Sequence, residues 1–285
     1  MTQPPSVESV FSRAWTLLSS NWIIIVPGVV IGLIVGLIHG LLTPHVYTAA
    51  DYQNNPGLAM ASVGGAFIRA ILIAGVGVLG YIATTAYTVG MAGAAWERGT
   101  TTLADGSSAF QERSANIVMT AIGLILLGIV AAVLALPTIT LSLLAFWVFT
   151  LYAMPAAVIG NQPGFSAIGQ SFQIATKRFV PTLIIAILIA VISFVLGLVT
   201  LPLHFIPFLG PIVSAVITQV VIAFAMLVIV GEYLGLRNQG IIGTSYGSAP
   251  PPSYGSPPPP SYGSTPPPAP PPPPSYPPDS GGPTV

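Results

Sequence analysis

The sequence contains no cysteine, which removes disulfides and thiolate chemistry but leaves the compartment open. Charge is almost as scarce. Seven basic and seven acidic side chains make up 5% of the 285 residues and cancel to zero, where soluble domains carry about 25%. So little positive charge provides no surface for nucleic acid. Also missing are a Gly-x-x-x-x-Gly-Lys-Ser/Thr loop, a His-Glu-x-x-His pair, a Gly-x-Ser-x-Gly elbow and a strand-led Gly-x-Gly-x-x-Gly. No nucleophile or acid/base pair stands out, so the expectation is a non-enzyme without a cofactor. His39, His45 and His204 match no metal-ligand spacing and read as separate interfacial side chains.

What the chain has in excess is hydrocarbon: 53% of it is hydrophobic. Residues 22–43 carry no formal charge. A helix of that length covers roughly 33 Å, enough for a hydrocarbon core of about 30 Å. Gly28, Gly32, Gly36 and Gly40 recur at every fourth position, a small-residue row that predicts close helix docking or self-association. Glu8 and Arg13 occupy the place where the apolar core of a signal peptide would begin, so the first span is expected to be retained.

Five further spans follow, at Ala66–Trp96, Ile117–Leu136, Ile139–Ile159, Pro181–Leu203 and Ile212–Val230. The second exceeds one crossing, so it tilts, projects into water or bends near Gly75, Gly77 and Gly80. Ala86, Gly90 and Ala94 give it a second small-residue row. A polar connection, residues 44–62, holds His45, Asp51 and the turn-forming Asn54-Asn55-Pro56-Gly57. The fold class is therefore all-α: a polytopic membrane helix bundle of six transmembrane helices with short interfacial helices. It divides into an N-terminal arm (1–21), a membrane domain (22–237) and a Pro-rich tail (238–285).

In the arm, Val7, Val10, Phe11, Ala14, Trp15 and Leu18 form one helical stripe. This predicts an amphipathic helix lying in the interface with Trp15 at headgroup depth. A short segment with Ser, Ala and Phe precedes each pair of spans: Phe11–Ala14, Ser107–Phe110 and Phe165–Ala167. That order is compatible with three parallel two-helix repeats. Asp105 or Ser108 is expected to cap the second segment. In the third, Phe165, Ile168, Phe172 and Ala175 share a face.

Arg13, Arg98, Arg113, Lys177, Arg178 and Arg237 all fall on one side of the predicted topology, and Arg69 alone lies near the other boundary. The positive-inside rule then places both termini in the cytoplasm. Trp22, Trp96 and Tyr233 form an aromatic belt at that boundary. Glu8, Glu97, Asp105, Glu112 and Glu232 also fall at or inside it, which weighs against ion-coupled transport. Arg69 is read as snorkelling to headgroups, with a lipid-phosphate or substrate contact as the alternative. Gln219 is expected to bond a neighbouring helix. From residue 243 the chain turns to Pro runs punctuated by Tyr246, Tyr254, Tyr262 and Tyr276. Such a tail stays disordered, either merely solvated or a docking string for modules that bind proline-rich peptides.

Several features resemble a broad group of bacterial multi-span proteins related to the membrane domain of glycerophosphoryl diester phosphodiesterases. They are the Phe11–Trp22 entry with Pro27, the stretch Tyr87–Gly99, Leu103-Ala-Asp105 with Phe110, Tyr152-Ala-Met-Pro155-Ala-Ala, Ser171-Phe172 and Glu232-Tyr233-Leu-Gly-Leu-Arg237. The resemblance covers roughly residues 6–237 and implies a bacterial inner-membrane protein. It does not imply the phosphodiesterase activity, because the catalytic barrel of such enzymes, about 200 residues or more, has no counterpart here. The expected function is a non-enzymatic scaffold or membrane-organising protein. Its partners would be membrane lipids, a cytoplasmic protein bound to the tail and a second copy of the chain. The alternative is a permease or lipid-handling protein that uses Arg69.

Overall fold

The computed structural model of the protein describes residues 6–42, 57–138, 140–205 and 209–242. The described residues contain helix and no strand. His45, Asp51, Asn54, Asn55 and the whole Pro-rich tail lie outside them, as does the side chain of His204.

Helix α1 spans Val7–Ser20, with the Ser6 hydroxyl accepting the Ser9 N–H at its start. A 3-10 turn, Trp22–Ile25, leads into α2, Val26–Leu42. Next come α3 (Gly57–Arg98), the short α4 (Leu103–Glu112) and α5 (Ser114–Ala135). The fourth span is two pieces, α6 (Leu141–Thr150) and α7 (Ala153–Val158). Helix α8 (Phe165–Lys177) precedes α9 (Phe179–Thr200), which continues into a 3-10 turn over Leu201–Phe205. Helix α10, Leu209–Asn238, closes the bundle. Six of these segments are long and apolar enough to cross a membrane, making this a multi-pass membrane protein. The order is a short helix then a helical hairpin, three times over: α1 before α2/α3, α4 before α5/α6–α7, and α8 before α9/α10.

Several expected boundaries are corrected. Helix α3 starts at Gly57, inside the expected polar connection, and is unbroken through Gly75, Gly77 and Gly80. Its 42 residues make about 63 Å of helix, so it projects well beyond one hydrocarbon core. Helix α10 runs two turns past Val230 and so carries Glu232 inside the bundle. Ile242, beyond the expected domain boundary, is also buried. The fourth span is broken at Leu151–Tyr152 because Pro155 lacks an N–H and its ring opposes the carbonyl four residues back, that of Leu151.

Burial is strongly polarised along the bundle. One end gathers α1, α4, α7, α8, the last third of α3 and the C-terminal half of α10 into a single core around Ile24, Met91, Tyr152, Leu227 and Leu236. Away from that end, residues 29–42, 65–83, 141–147, 190–199 and 212–222 contain no buried residue. There the helices pack mainly within their own hairpins, with Gln219 of α10 against Gly28 and Gly32 of α2 as a cross-hairpin contact. In the first hairpin Val35 packs on Gly80, and His39 shares a hydrogen bond with the Ile73 carbonyl (3.0 Å). In the second, Ser142 Oγ donates to the Ala131 carbonyl (2.8 Å). The exposed Leu, Ile, Val and Phe side chains of this half form the surface that lipid covers.

Candidate functional site

The break in the fourth span leaves backbone groups without helical partners, and the neighbouring helix supplies them. Ser171 Oγ on α8 accepts the Tyr152 N–H (3.0 Å) and donates to the Phe149 carbonyl (2.7 Å). A broken span survives in a membrane only where such groups are satisfied. The break turns Tyr152 into the core, where its hydroxyl lies 3.3 Å from Thr182 Oγ1 on α9. All of Ala153–Val158 is buried behind it.

Beside this break sits an acid–base pair. Arg178 occupies the joint between α8 and α9, and Glu232 lies on α10 at 0% exposure. Arg178 Nη2 is 3.7 Å from Glu232 Oε1, and neither carboxylate oxygen nor Arg178 Nη1 has a hydrogen-bond partner. Taking both charges out of water is costly, and only their mutual attraction offsets it. Separating the pair would leave the Glu232 carboxylate buried without its partner.

The last turns of α10 are the hub of the core. Tyr233 Oη donates to Gln170 Oε1 on α8 (3.0 Å), and Trp96 Nε1 on α3 donates to the Leu227 carbonyl (2.7 Å). Gly231 lies against the Trp96 indole, leaving no space for a Cβ. Arg13 stacks over the same indole at 4.6 Å and donates to the Trp96 carbonyl. Trp96 and Tyr233 are therefore core ties rather than members of an aromatic belt, whereas Trp15 and Trp22 are 62% and 68% exposed. Helix α1 is likewise docked rather than free in the interface. Val10, Ala14, Leu17 and Leu18 are buried, and Phe11 and Trp15 meet Phe224 edge-on. Its apolar stripe found a core to join.

A second polar junction fixes α4. Asn21 Nδ2 donates to the Gly99 carbonyl (3.0 Å), and Asn21 Oδ1 accepts the Thr101 N–H (3.0 Å). Gly99 has φ +79°, a conformation suited to glycine. Asp105 is the third residue of α4 and reaches back to accept the Thr102 N–H (2.7 Å), with Arg98 Nη2 at 2.6 Å. Ser108 takes no part in this cap and donates instead to the Asp105 carbonyl. Burial pushes the Asp105 carboxyl up, but the bonds from Arg98 and Thr102 outweigh it and hold the group below its ordinary value of 3.8.

The small-residue rows divide. Ala86, Gly90 and Ala94 are buried, and Gly90 lies against Ala109 and the Asp105 carbonyl, so this row seats α4 on α3. Gly28 lies beneath the Gln219 side chain, and Gly32 touches it more loosely. Gly36 and Gly40 face open space. The docking face on α2 is instead Ile31, Val35 and His39, which meet Gly77 and Gly80 of α3. Among the described residues, Gln219 packs on glycine and bonds no neighbouring helix. On α8 the buried face is Ala167, Ile168, Ser171, Ile174 and Ala175, while the expected Phe165 and Phe172 are partly exposed and pack at its edges, against Gly123 and Phe149. Arg69 is exposed in the N-terminal half of α3, apart from the buried pair. Among the described residues no group of three or more His, Cys, Asp or Glu is placed to hold a metal.

The burial of Glu232 and its pairing with Arg178 went unanticipated. The available signal was a lone carboxylate inside the apolar stretch Val220–Leu236, which in a membrane helix marks a site by default. Comparison with protein-family models, with curated proteins and with solved structures finds no match to this chain.

Proposed function

We propose that the protein is a membrane-organising scaffold of a bacterial inner membrane, with both termini in the cytoplasm and the Pro-rich tail offered to proteins there. The observation that carries this reading is the polarised burial. Among the described residues, Ser171, Tyr233 and Trp96 bond across helices at the core end of the bundle, and Glu232 is fully buried there. A platform built this way presents apolar hairpins to lipid and keeps its joined core at the other end. The resemblance to phosphodiesterase membrane domains belongs to the same reading and brings no hydrolytic activity. Gly36 and Gly40, open on α2, suit close approach by a second copy.

The test is capture of proline-peptide-binding modules by the full chain and by a form lacking residues 244–285. Capture lost with the deletion supports a docking tail; no capture by either form removes the scaffold reading. A second reading, lipid or solute movement, is favoured by the broken fourth span beside a buried ion pair. It requires flux in liposomes that falls in Arg69→Ala or Glu232→Gln; unaltered flux in both leaves it without support.

A further inference from the structure

Between α9 and α10, in the half of the bundle away from the core, lies a groove with a volume of about 140 Å³. Ser193 and Gly197 from α9 line it together with Thr218 from α10, short side chains set beside the longer Leu196 and Ile222. A Cβ placed on Gly197 would meet no atom within 4 Å, so the space continues down to the α9 backbone. No charged side chain lines the groove. Two of the three hydroxyls that do are turned back on their own helices. Thr200 Oγ1 donates to the Gly197 carbonyl (3.0 Å) and Thr218 Oγ1 to the Ser214 carbonyl (2.9 Å). Leu203 closes the fifth span and Ile212 opens the sixth. The lining therefore lies roughly 5–15 Å inside that boundary, within the hydrocarbon of one leaflet.

Depth, size and polarity together select the occupant. A water needs two to four polar partners, and the lining hydroxyls are mostly committed to backbone. A helix from a second copy is about 10–12 Å across with its side chains and does not enter a groove of this size. A single hydrocarbon chain does: an apolar cavity of about 150 Å³ is enough for a benzene-sized guest. Left empty, the groove would forfeit dispersion contacts along its lining. We propose that it retains one acyl chain of a phospholipid, drawn from the leaflet on the side away from the core. Elsewhere on this half lipid meets exposed helix faces, whereas here two helices flank one chain.

The experiment reconstitutes the full-length protein with phosphatidylethanolamine that carries a diazirine in its acyl chain. Excess neutral detergent then exchanges loosely held lipid, the sample is irradiated, and mass spectrometry locates the labelled residues. Leu33, Ile34 and Leu37 of α2, each more than half exposed, are the reference for ordinary lipid contact. Label concentrated at residues 193–200 and 217–222, above that reference, is the expected result. Gly197→Leu places a side chain in the groove and should lower the label to the reference level at an unchanged thermal midpoint. Val199→Leu adds bulk at an exposed position outside the lining and should leave the label unchanged. Thr218→Leu blocks the groove from the other helix and takes the place of Gly197→Leu should that variant not fold. Label no higher than on α2, label undiminished by the blocking variants, or an equal loss in Val199→Leu would overturn the proposal. A dimer in detergent that dissociates in Gly197→Leu would assign the groove to a second copy and overturn it as well.

Discussion

Ser171 Oγ accepts the Tyr152 N–H at 3.0 Å across a helix break that Pro155 imposes. One hydroxyl thus completes the backbone of a different span. Replacing it with Ala leaves a buried N–H and a carbonyl unpartnered, a loss of about 1–3 kcal/mol. Ser171→Ala should therefore lower the thermal midpoint in detergent clearly, while Thr176→Ala, exposed on the same helix, should stay within about 0.5 kcal/mol of wild type. Equal midpoints for both would mean that the break is satisfied in another way.

The buried pair makes a prediction of rescue. Arg178→Gln alone leaves the Glu232 charge without its partner and should cost about 3–5 kcal/mol. Combining it with Glu232→Gln removes both charges, and most of the stability should return. A double variant as unstable as Arg178→Gln would show that Arg178 contributes through something other than its charge.

Asp105 sets a pH dependence with a definite sign. Its folded-state pKa lies below the ordinary 3.8, so its contribution is fully present above that value. It is lost as pH falls from there through the folded value. Asp105→Asn should be less stable than wild type at neutral pH, and the gap should close on acidification below about pH 4. A gap independent of pH would mean that the Arg98 and Thr102 bonds do not distinguish the carboxylate from the amide.

Glycines of the first hairpin are expected to differ in tolerance. Gly28→Leu meets the Gln219 side chain, and Gly90→Leu meets Ala109, so both should reduce the yield of folded protein. Overpacking of this kind costs about 1–3 kcal/mol. Gly36→Leu and Gly40→Leu enter open space and should leave the thermal midpoint at the wild-type value. Severe unfolding in Gly36→Leu would mean that α2 is covered along its whole length.

The six spans and the three-fold order of short helix and hairpin were legible because a bilayer demands long charge-free helices, and 5% charge makes those conspicuous. The interior of the bundle was not. Pro155 lies near the end of the expected span Ile139–Ile159, where proline is tolerated, but its effect falls four residues earlier, at Leu151. Glu232 was placed outside the sixth span because hydropathy drops there, yet α10 continues to Asn238. The glycine row on α2 was visible, but periodicity does not reveal which partner occupies it. Arg178 illustrates the same limit: it counts toward orientation as one of six basic residues on one side, and its pairing depends on a helix more than 50 positions away in the chain.

Because the buried ties among the described residues gather at one end of the bundle, a membrane of different thickness meets mostly exposed apolar surface at the other end. Accommodation there would leave the bonds made by Ser171, Trp96 and Tyr233 in place.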